Sequence, residues 1–247
     1  MKINVLSIFP ELFAPFTQIG VMKMAIDKGL LEFEAVNLRD YTHDRHHTTD
    51  DVPFGGGAGM MFLPKPLVEA LDAIDRPAGS WLKIGVAPQG DRFTQRMAED
   101  LAREERLVIV AGRYEGIDER VMERLDVVIS VGDVVLSGGE IAAIEIVDAV
   151  TRLLPGATGN VASTADESFT SGMLEYPQYT RPQDLDGQKV PDVLVSGHHA
   201  NIAAWRRQEA LRRTLLYRPD LLKQMELTSQ DRAYLRRVLA EMRDALG

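Results

Sequence analysis

Short apolar runs alternate along the chain with stretches whose apolar residues recur three and four positions apart. Lys2–Phe9 (KINVLSIF), Leu31–Leu38, Trp81–Ala87, Leu107–Ala111 and Val127–Val131 are short apolar segments bounded by polar or turn residues, and they predict strands. Pro10–Phe16, Val21–Lys28, Pro64–Ile74 and Gln95–Glu105 predict helices, the third with Leu67, Leu71 and Ile74 at helical spacing. Such alternation predicts an α/β fold built on a mostly parallel, doubly wound sheet. The clearest helix follows Ser137, which with Glu140 fits an S-x-x-E capping box. Ala142, Ala143, Ile146, Val147, Ala149, Val150, Leu153 and Leu154 form its apolar face, and Pro155-Gly156 ends it.

Two of the predicted strands run straight into glycine turns. Leu107–Ala111 is followed by Gly112-Arg113-Tyr114-Glu115-Gly116, and Val127–Val131 by Gly132-Asp133-Val134-Val135-Leu136-Ser137-Gly138-Gly139. Trp81–Ala87 likewise is expected to end in Pro88-Gln89-Gly90. Open α/β sheets bind ligands at the carboxyl ends of their strands, and glycine lets main-chain groups approach a ligand closely. The two loops predict one pocket made mostly of backbone.

Composition changes near Gly159. Asn160–Ser171 (NVASTADESFTS) is small and polar and predicts a linker or mobile loop; beyond Val195 the pattern is helical. Asn201–Tyr217 forms an arginine-bearing helix stopped at Arg218-Pro219. Thr228 begins a last helix with Tyr234, Leu235, Val238, Leu239 and Met242 as its buried stripe. The net charge of −9 sits entirely in residues 1–159, whereas residues 204–247 carry 10 basic and 6 acidic groups. This asymmetry points to two domains and an anionic partner for the second. Arg206, Arg207, Arg212, Arg213 and Arg218, with Trp205 and Tyr217, face a single Glu209 within that basic helix, so phosphate contact competes with the ordinary reading of a solvated face.

Other chemistry is excluded or weakened. The absence of cysteine removes disulfides, thiolate metal sites and cysteine nucleophiles. Met1–Val5 begins a strand rather than a signal peptide, and no apolar run reaches the ~20 residues of a membrane span. A cytoplasmic protein is expected. Gly55-Gly56-Gly57-Ala58-Gly59 is no phosphate loop, since no Lys-Ser/Thr follows, and Met60 stands where G-x-G-x-x-G needs its last glycine. It reads as a flexible loop. His43, His46 and His47 lie near Asp44, Asp50 and Asp51 in a polar stretch without a frame to fix ligand geometry, so no metal site is expected. Arg152 follows Asp148 by four residues, which reads first as a surface ion pair. The competing reading is a fixed cation near the Val131–Leu136 loop. Asp166 and Glu167 are adjacent carboxylates that, desolvated over a pocket, could serve as a general base.

Several segments together resemble the bacterial tRNA (guanine-N1-)-methyltransferases, members of the knotted SPOUT class. They are Ser7-Ile8-Phe9-Pro10, Thr42-His43-Asp44-Arg45-His46, Phe54–Met60, Pro88-Gln89-Gly90, GRYEGIDER at Gly112–Arg120, GDVVLSGGE at Gly132–Glu140, Tyr179-Thr180-Arg181-Pro182 and Ser196-Gly197-His198-His199. The pair GRYEGIDER and GDVVLSGGE carries the specificity, and the resemblance spans nearly the whole chain. It implies a mostly parallel sheet with a deep trefoil knot and a small all-helical C-terminal domain. The implied division is a methyltransferase domain over 1–159, a flexible linker over 160–173 and a tRNA-binding domain over 174–247.

The resemblance implies S-adenosylmethionine as methyl donor, with Pro88, Gly90, Gly112, Tyr114, Glu115, Ser130, Val131, Gly132, Asp133, Val134, Val135, Leu136, Gly138 and Gly139 at its pocket. It implies methyl transfer to N1 of guanosine 37 of tRNA, next to the anticodon, by a homodimer with sites shared between subunits. Arg152 matches the family's essential arginine. The family's base is an Asp directly before Ser-Phe; here Glu167 precedes Ser168-Phe169, and Asp166 stands one place earlier. Either Glu167 acts with one more methylene of reach, or a loop shift presents Asp166. Arg206, Arg207, Arg212 and Arg213 are the implied tRNA contacts. The alternatives are a knotted ribose 2′-hydroxyl methyltransferase, a non-catalytic nucleotide- or RNA-binding module and, least consistent with the missing G-x-G-x-x-G, a nicotinamide dehydrogenase.

Overall fold

Every residue from Leu107 to Ala111 is buried, so both faces of that strand are covered by protein, as expected at the centre of a parallel sheet. The computed structural model describes residues 1–77, 79–158 and 167–245. The chain divides into two units, Met1–Val161 and Ala162–Gly247.

In the first unit β1 (Lys2–Ser7) leads through a 3-10 turn to α1 (Ala14–Thr17) and α2 (Gly20–Asp27), then β2 (Glu32–Asn37). Two-residue strands β3 (Asp50–Asp51) and β4 (Met61–Phe62) pair antiparallel on either side of the Gly55–Gly59 stretch that reads as a flexible loop. α3 (Pro64–Ile74), β5 (Leu82–Arg92), α4 (Gln95–Leu101), β6 (Arg106–Ala111), α5 (Glu119–Met122), β7 (Val127–Ser130) and α6 (Glu140–Leu153) follow. Among the described residues the main sheet has the order β2-β1-β6-β5-β7, and all four pairings are parallel.

The period of two along β6 divides the core. Leu107, Ile109 and Ala111 join Ile3, Val5, Ile84 and Ile129 under the Ala143, Ile146, Val147 and Val150 face of α6. Val108 and Val110 turn the other way, to Leu6 and the Leu67, Ala70 and Leu71 face of α3.

Two local expectations are corrected. Strand β5 does not stop before Pro88; it runs on to Arg92, with a register shift against β7 between Val86 and Asp91. The extra residues bulge out of the ladder, which suits a proline that has no N–H to donate. Gly90 sits where the strands touch, since a Cβ there would lie 2.6 Å from the Val128 carbonyl. The capping box is not formed: Gly139 occupies the N-cap of α6, no side-chain cap bond is made there among the described residues, and Glu140 is drawn into the interior.

The second unit is not all helical. A two-residue hairpin, β8 (Asp184–Leu185) with β9 (Gln188–Lys189), turns on Asp186 and Gly187, both at positive φ. Asp-Gly is the favoured pair for such a turn, because its twist matches the strands. Then come α7 (Asp192–Val195), α8 (His199–Tyr217), α9 (Pro219–Leu222) and α10 (Ser229–Ala245). Met173, Ala210, Leu211 and Leu235 form the core. The expected stripe of α10 is narrower than its apolar residues: Leu235 and Val238 are buried, whereas Leu239 and Met242 are exposed. Of the 160–173 segment, 160–166 lie outside the described residues. Residues 167–173 form a turn in which the Phe169 N–H donates to the Met173 carbonyl at 2.7 Å.

Asp231 ties α8 to α10. It accepts two bonds from Arg207, at 3.1 and 2.9 Å, and the Thr228 N–H at 3.0 Å, while its own N–H donates to the Thr228 hydroxyl at 3.1 Å. This is a reciprocal helix cap. The Arg207 guanidinium, with the Thr228 groups and against the cost of burial, holds the Asp231 carboxyl down to about 2 from 3.8. A folded value below the unfolded one stabilises the unit above the unfolded pKa and is lost as pH falls through the folded pKa; here the gap corresponds to about 2 kcal/mol at neutral pH. Asp231→Asn should therefore weaken hydrogen-exchange protection of the α10 amides by about that amount at pH 7. The difference should shrink as pH is lowered from about 4 toward 2. Equal protection at pH 7 would show that the pair adds nothing.

Candidate functional site

The carboxyl ends of β6 and β7 open into the two glycine loops, and these loops meet. The Gly139 N–H donates to the Gly112 carbonyl at 2.6 Å, and Arg113 bridges to Gly138 in antiparallel fashion. Neither Gly138 nor Gly139 has room for a side chain without displacing a neighbour. A Cβ on Gly139 would sit 2.9 Å from the Gly112 nitrogen and 3.0 Å from the Ala111 Cα. On Gly138 it would meet Arg113 Nε at 2.6 Å.

Glu140 lies directly behind this contact. Its carboxylate, 1% exposed, accepts the Ser7 hydroxyl at 2.8 Å and Arg113 Nε at 3.0 Å. The Ser7 Oγ accepts the Phe9 N–H at 2.9 Å, and the Arg113 guanidinium stacks 4.4 Å from the Phe9 ring centre. A buried carboxylate costs several kcal/mol unless paired and hydrogen-bonded. Here it joins the end of β1, the loop after β6 and the start of α6. The sequence pattern hid it, because the capping-box reading accounted for Glu140 and left Ser7 and Arg113 without a role; an Arg and a Glu inside two adjoining glycine motifs was the available signal.

The loops enclose a crevice of about 470 Å3. Pro88, Gly112, Tyr114, Glu115, Ser130, Val131, Gly132, Val134, Val135, Leu136, Gly138 and Gly139 line it, whereas Gly90 and Asp133 do not. Val86, Gln89, Ile117, Glu119 and Met122, which are not among the implied donor contacts, also form the wall. Glu119 was legible as part of GRYEGIDER. Tyr114 takes a positive φ of 60° and packs edge-on to Phe62, ring centres 5.8 Å apart. The end of the Gly55–Gly59 stretch docks here too: the Glu115 N–H donates to the Met60 carbonyl at 2.9 Å, and a Cβ on Gly59 would collide with the Glu115 carboxylate.

The remaining candidates belong to α6 and to the second unit. Arg152 is on the last turn of α6, twelve residues beyond Glu140. At 1.5 Å per residue that is about 18 Å along the helix from the Val131–Leu136 end, so it is not a neighbour of that loop in its own chain. Glu167 opens the turn of the second unit, followed by Ser168, whose hydroxyl accepts the Glu175 N–H at 3.0 Å. Asp166 lies outside the described residues. Arg207 is engaged by Asp231; Arg206 stacks 4.8 Å from the Tyr176 ring, Arg212 reaches Glu209 at 4.0 Å, and Arg213 lies half-buried on α8.

The histidines are dispersed among separate partners: His43 meets Glu69 at 2.6 Å and His47 meets the Thr42 hydroxyl at 3.0 Å. Among the described residues no group of three or more His, Asp or Glu could hold a metal ion. No helix among them is long and apolar enough to cross a membrane.

The contact between the loops makes a direct prediction. Gly139 has an ordinary helical φ of −74°, so Gly139→Ala tests the close approach alone. Urea unfolding should show the first unit destabilised by about 1–3 kcal/mol, the usual cost of forcing extra volume into a packed site. An unchanged midpoint would mean the loops can separate at no cost.

Comparison with known proteins agrees along the whole length. Residues 1–224 match the family described as tRNA (Guanine-1)-methyltransferase TrmD. A tRNA (guanine-N(1)-)-methyltransferase of Pelotomaculum thermopropionicum is 50% identical over 250 residues, covering 99% of this chain and 98% of its own. The protein of the same name from Dictyoglomus turgidum is 47% identical over 244 residues, covering 99% of each. One from Bacillus cereus is 48% identical over 240 residues, covering 96% and 98%. A crevice built by GRYEGIDER and GDVVLSGGE at the strand ends, and similarity of this extent, lead to one conclusion: the chain belongs to the tRNA (guanine-1)-methyltransferase TrmD family of enzymes.

Proposed function

We propose that this chain methylates N1 of guanosine 37 of tRNA, beside the anticodon, with S-adenosylmethionine as donor, in the cytoplasm. The reading includes a trefoil knot at these loops and a homodimer whose sites are shared. The observation that carries it is the strand-end crevice between two glycine loops that touch at Gly112 and Gly139, in a chain of this family.

The crevice fits such a donor. Its volume falls within the ordinary range for small-molecule sites, about 300–1,000 Å3. Val86, Val134 and Leu136 offer apolar faces to a purine, and Glu115 and Glu119 offer negative charge to a cationic methionyl group. A Cβ on Gly116 or Gly132 would meet nothing within 4 Å, so these glycines leave open space beside the wall. When bound, S-adenosylmethionine supplies an electrophilic methyl on a sulfonium.

The chain's residues must then prepare the acceptor. N1 of guanine carries a proton and is no nucleophile until a base removes it. Glu167, or Asp166 one place earlier, is the carboxylate for that task. Arg152 offers a cation to charge spreading onto O6. Because Arg152 lies about 18 Å along α6 from its own chain's loop, the reading assigns it to the crevice of a second copy. Val135, 97% exposed, and Ile141, 55% exposed, give the crevice rim an apolar surface suited to such a contact. Arg206, Arg212 and Arg213 remain as phosphate contacts on α8, while Arg207 serves the Asp231 pair.

Incubation with labelled donor and unmodified tRNA carrying G36 and G37, followed by mass-spectrometric mapping, should find the methyl on N1 of G37. A methyl on a ribose, on another base, or none would overturn the proposal. Asp166→Ala combined with Glu167→Ala should lower kcat by at least about 100-fold, the lower range for a lost general base, with donor affinity retained. Full activity would remove the base assignment. Arg212→Ala with Arg213→Ala should weaken tRNA binding and reduce the slope of log affinity against log salt by roughly one to two. An unchanged slope would remove these contacts.

A further inference from the structure

The second unit holds a pocket of its own, about 460 Å3, of which the methyl-transfer reading uses only Arg206, as a phosphate contact. Tyr176 and Tyr179 stand on its wall with Arg181 and Arg206, and Ile202 adds an aliphatic surface. Among the described residues no carboxylate lines it. Residues 160–247 carry 12 basic and 12 acidic groups, so this pocket, whose only charged side chains are arginines, is a basic spot on a balanced unit.

The aromatic groups are placed for stacking. Tyr179 is half exposed and backed by Trp205, ring centres 6.4 Å apart and planes inclined at 49°. The Arg206 guanidinium covers the Tyr176 ring at 4.8 Å, leaving an extended planar cation at the pocket edge. Flat rings beside arginines suit a ligand with a flat base and an adjacent phosphate. Proteins that read RNA do so mainly at unpaired nucleotides, whose bases are splayed out and stacked on Tyr, Trp or Arg planes. A duplex offers no free base face to such a pocket.

We propose that this pocket binds one unpaired nucleotide of the RNA substrate, distinct from the guanosine that is methylated. Its base stacks on Tyr179, and its phosphate meets Arg206 and Arg181. The proposal rests on the reading of tRNA as substrate and adds a second base-binding site to it.

The test uses the full chain and two labelled RNA hairpins with the same stem, one closed by a seven-nucleotide loop and the other by a compact tetraloop. Fluorescence anisotropy should show that Tyr179→Ala weakens binding of the large-loop hairpin about 5- to 100-fold, as expected for loss of one stacked base. Binding of the tetraloop hairpin should be unchanged. Tyr179→Phe, which keeps the ring, should behave as wild type, and Arg206→Ala should weaken the large-loop hairpin with a shallower salt dependence. Undiminished binding by Tyr179→Ala, or an equal loss on both hairpins, would overturn the proposal. The outcomes separate from those of the parent reading. A loop-dependent loss in Tyr179→Ala, together with a wild-type protein that transfers no methyl to tRNA, sinks the methyltransferase assignment alone. A protein that methylates G37 with Tyr179→Ala indistinguishable from wild type in tRNA binding sinks the pocket alone.

Discussion

The structure depends on one close approach of backbone to backbone. Where the loop after β6 meets the loop after β7, the Gly139 N–H reaches the Gly112 carbonyl at 2.6 Å, and no Cβ fits on either Gly138 or Gly139 without displacing its neighbours. Everything at the crevice follows from that contact. It holds the two strand ends together, starts α6 immediately behind them, and leaves the outer parts of both loops to form a wall of glycines, Val134, Leu136 and the Glu115 and Glu119 carboxylates.

Glu140 keeps this contact in register. Its buried carboxylate has its charge met by Arg113 and a further bond from Ser7, so displacing any of the three leaves a polar group desolvated without a partner. The network therefore links the sheet, the helix and the loop at a single point. Its position also explains the form of α6. A glutamate committed to the interior cannot reach back to cap its own helix, and the compact Gly139 takes the N-cap instead.

Much of this was legible in the chain. The unbroken apolar run Leu107–Ala111 announced a strand, and α3 runs from Pro64 to Ile74 as its spacing predicts. The two glycine turns announced a crevice at the strand ends, and twelve of the fourteen residues that the family resemblance implies for the donor pocket line it. What local pattern could not carry was any contact between distant segments. Ser137 and Glu140 satisfy a local rule, yet Glu140 bonds Ser7, 133 positions away. Pro88 signals a strand end, but pairing with β7 resumes beyond it because the surplus residues bulge. Arg207 and Arg206 are adjacent, and only the fold commits the first to Asp231 and leaves the second over Tyr176 at a pocket. The Asp186-Gly187 hairpin turn, by contrast, is a local signal within a domain whose composition reads as helical.

Hydrogen–deuterium exchange with and without S-adenosylhomocysteine tests the central claim most directly. The demethylated donor should slow exchange at the amides of Gly112–Gly116 and Val131–Gly139 together, since both loops form one wall. Protection confined to another part of the chain, or no protection at any concentration, would contradict the account.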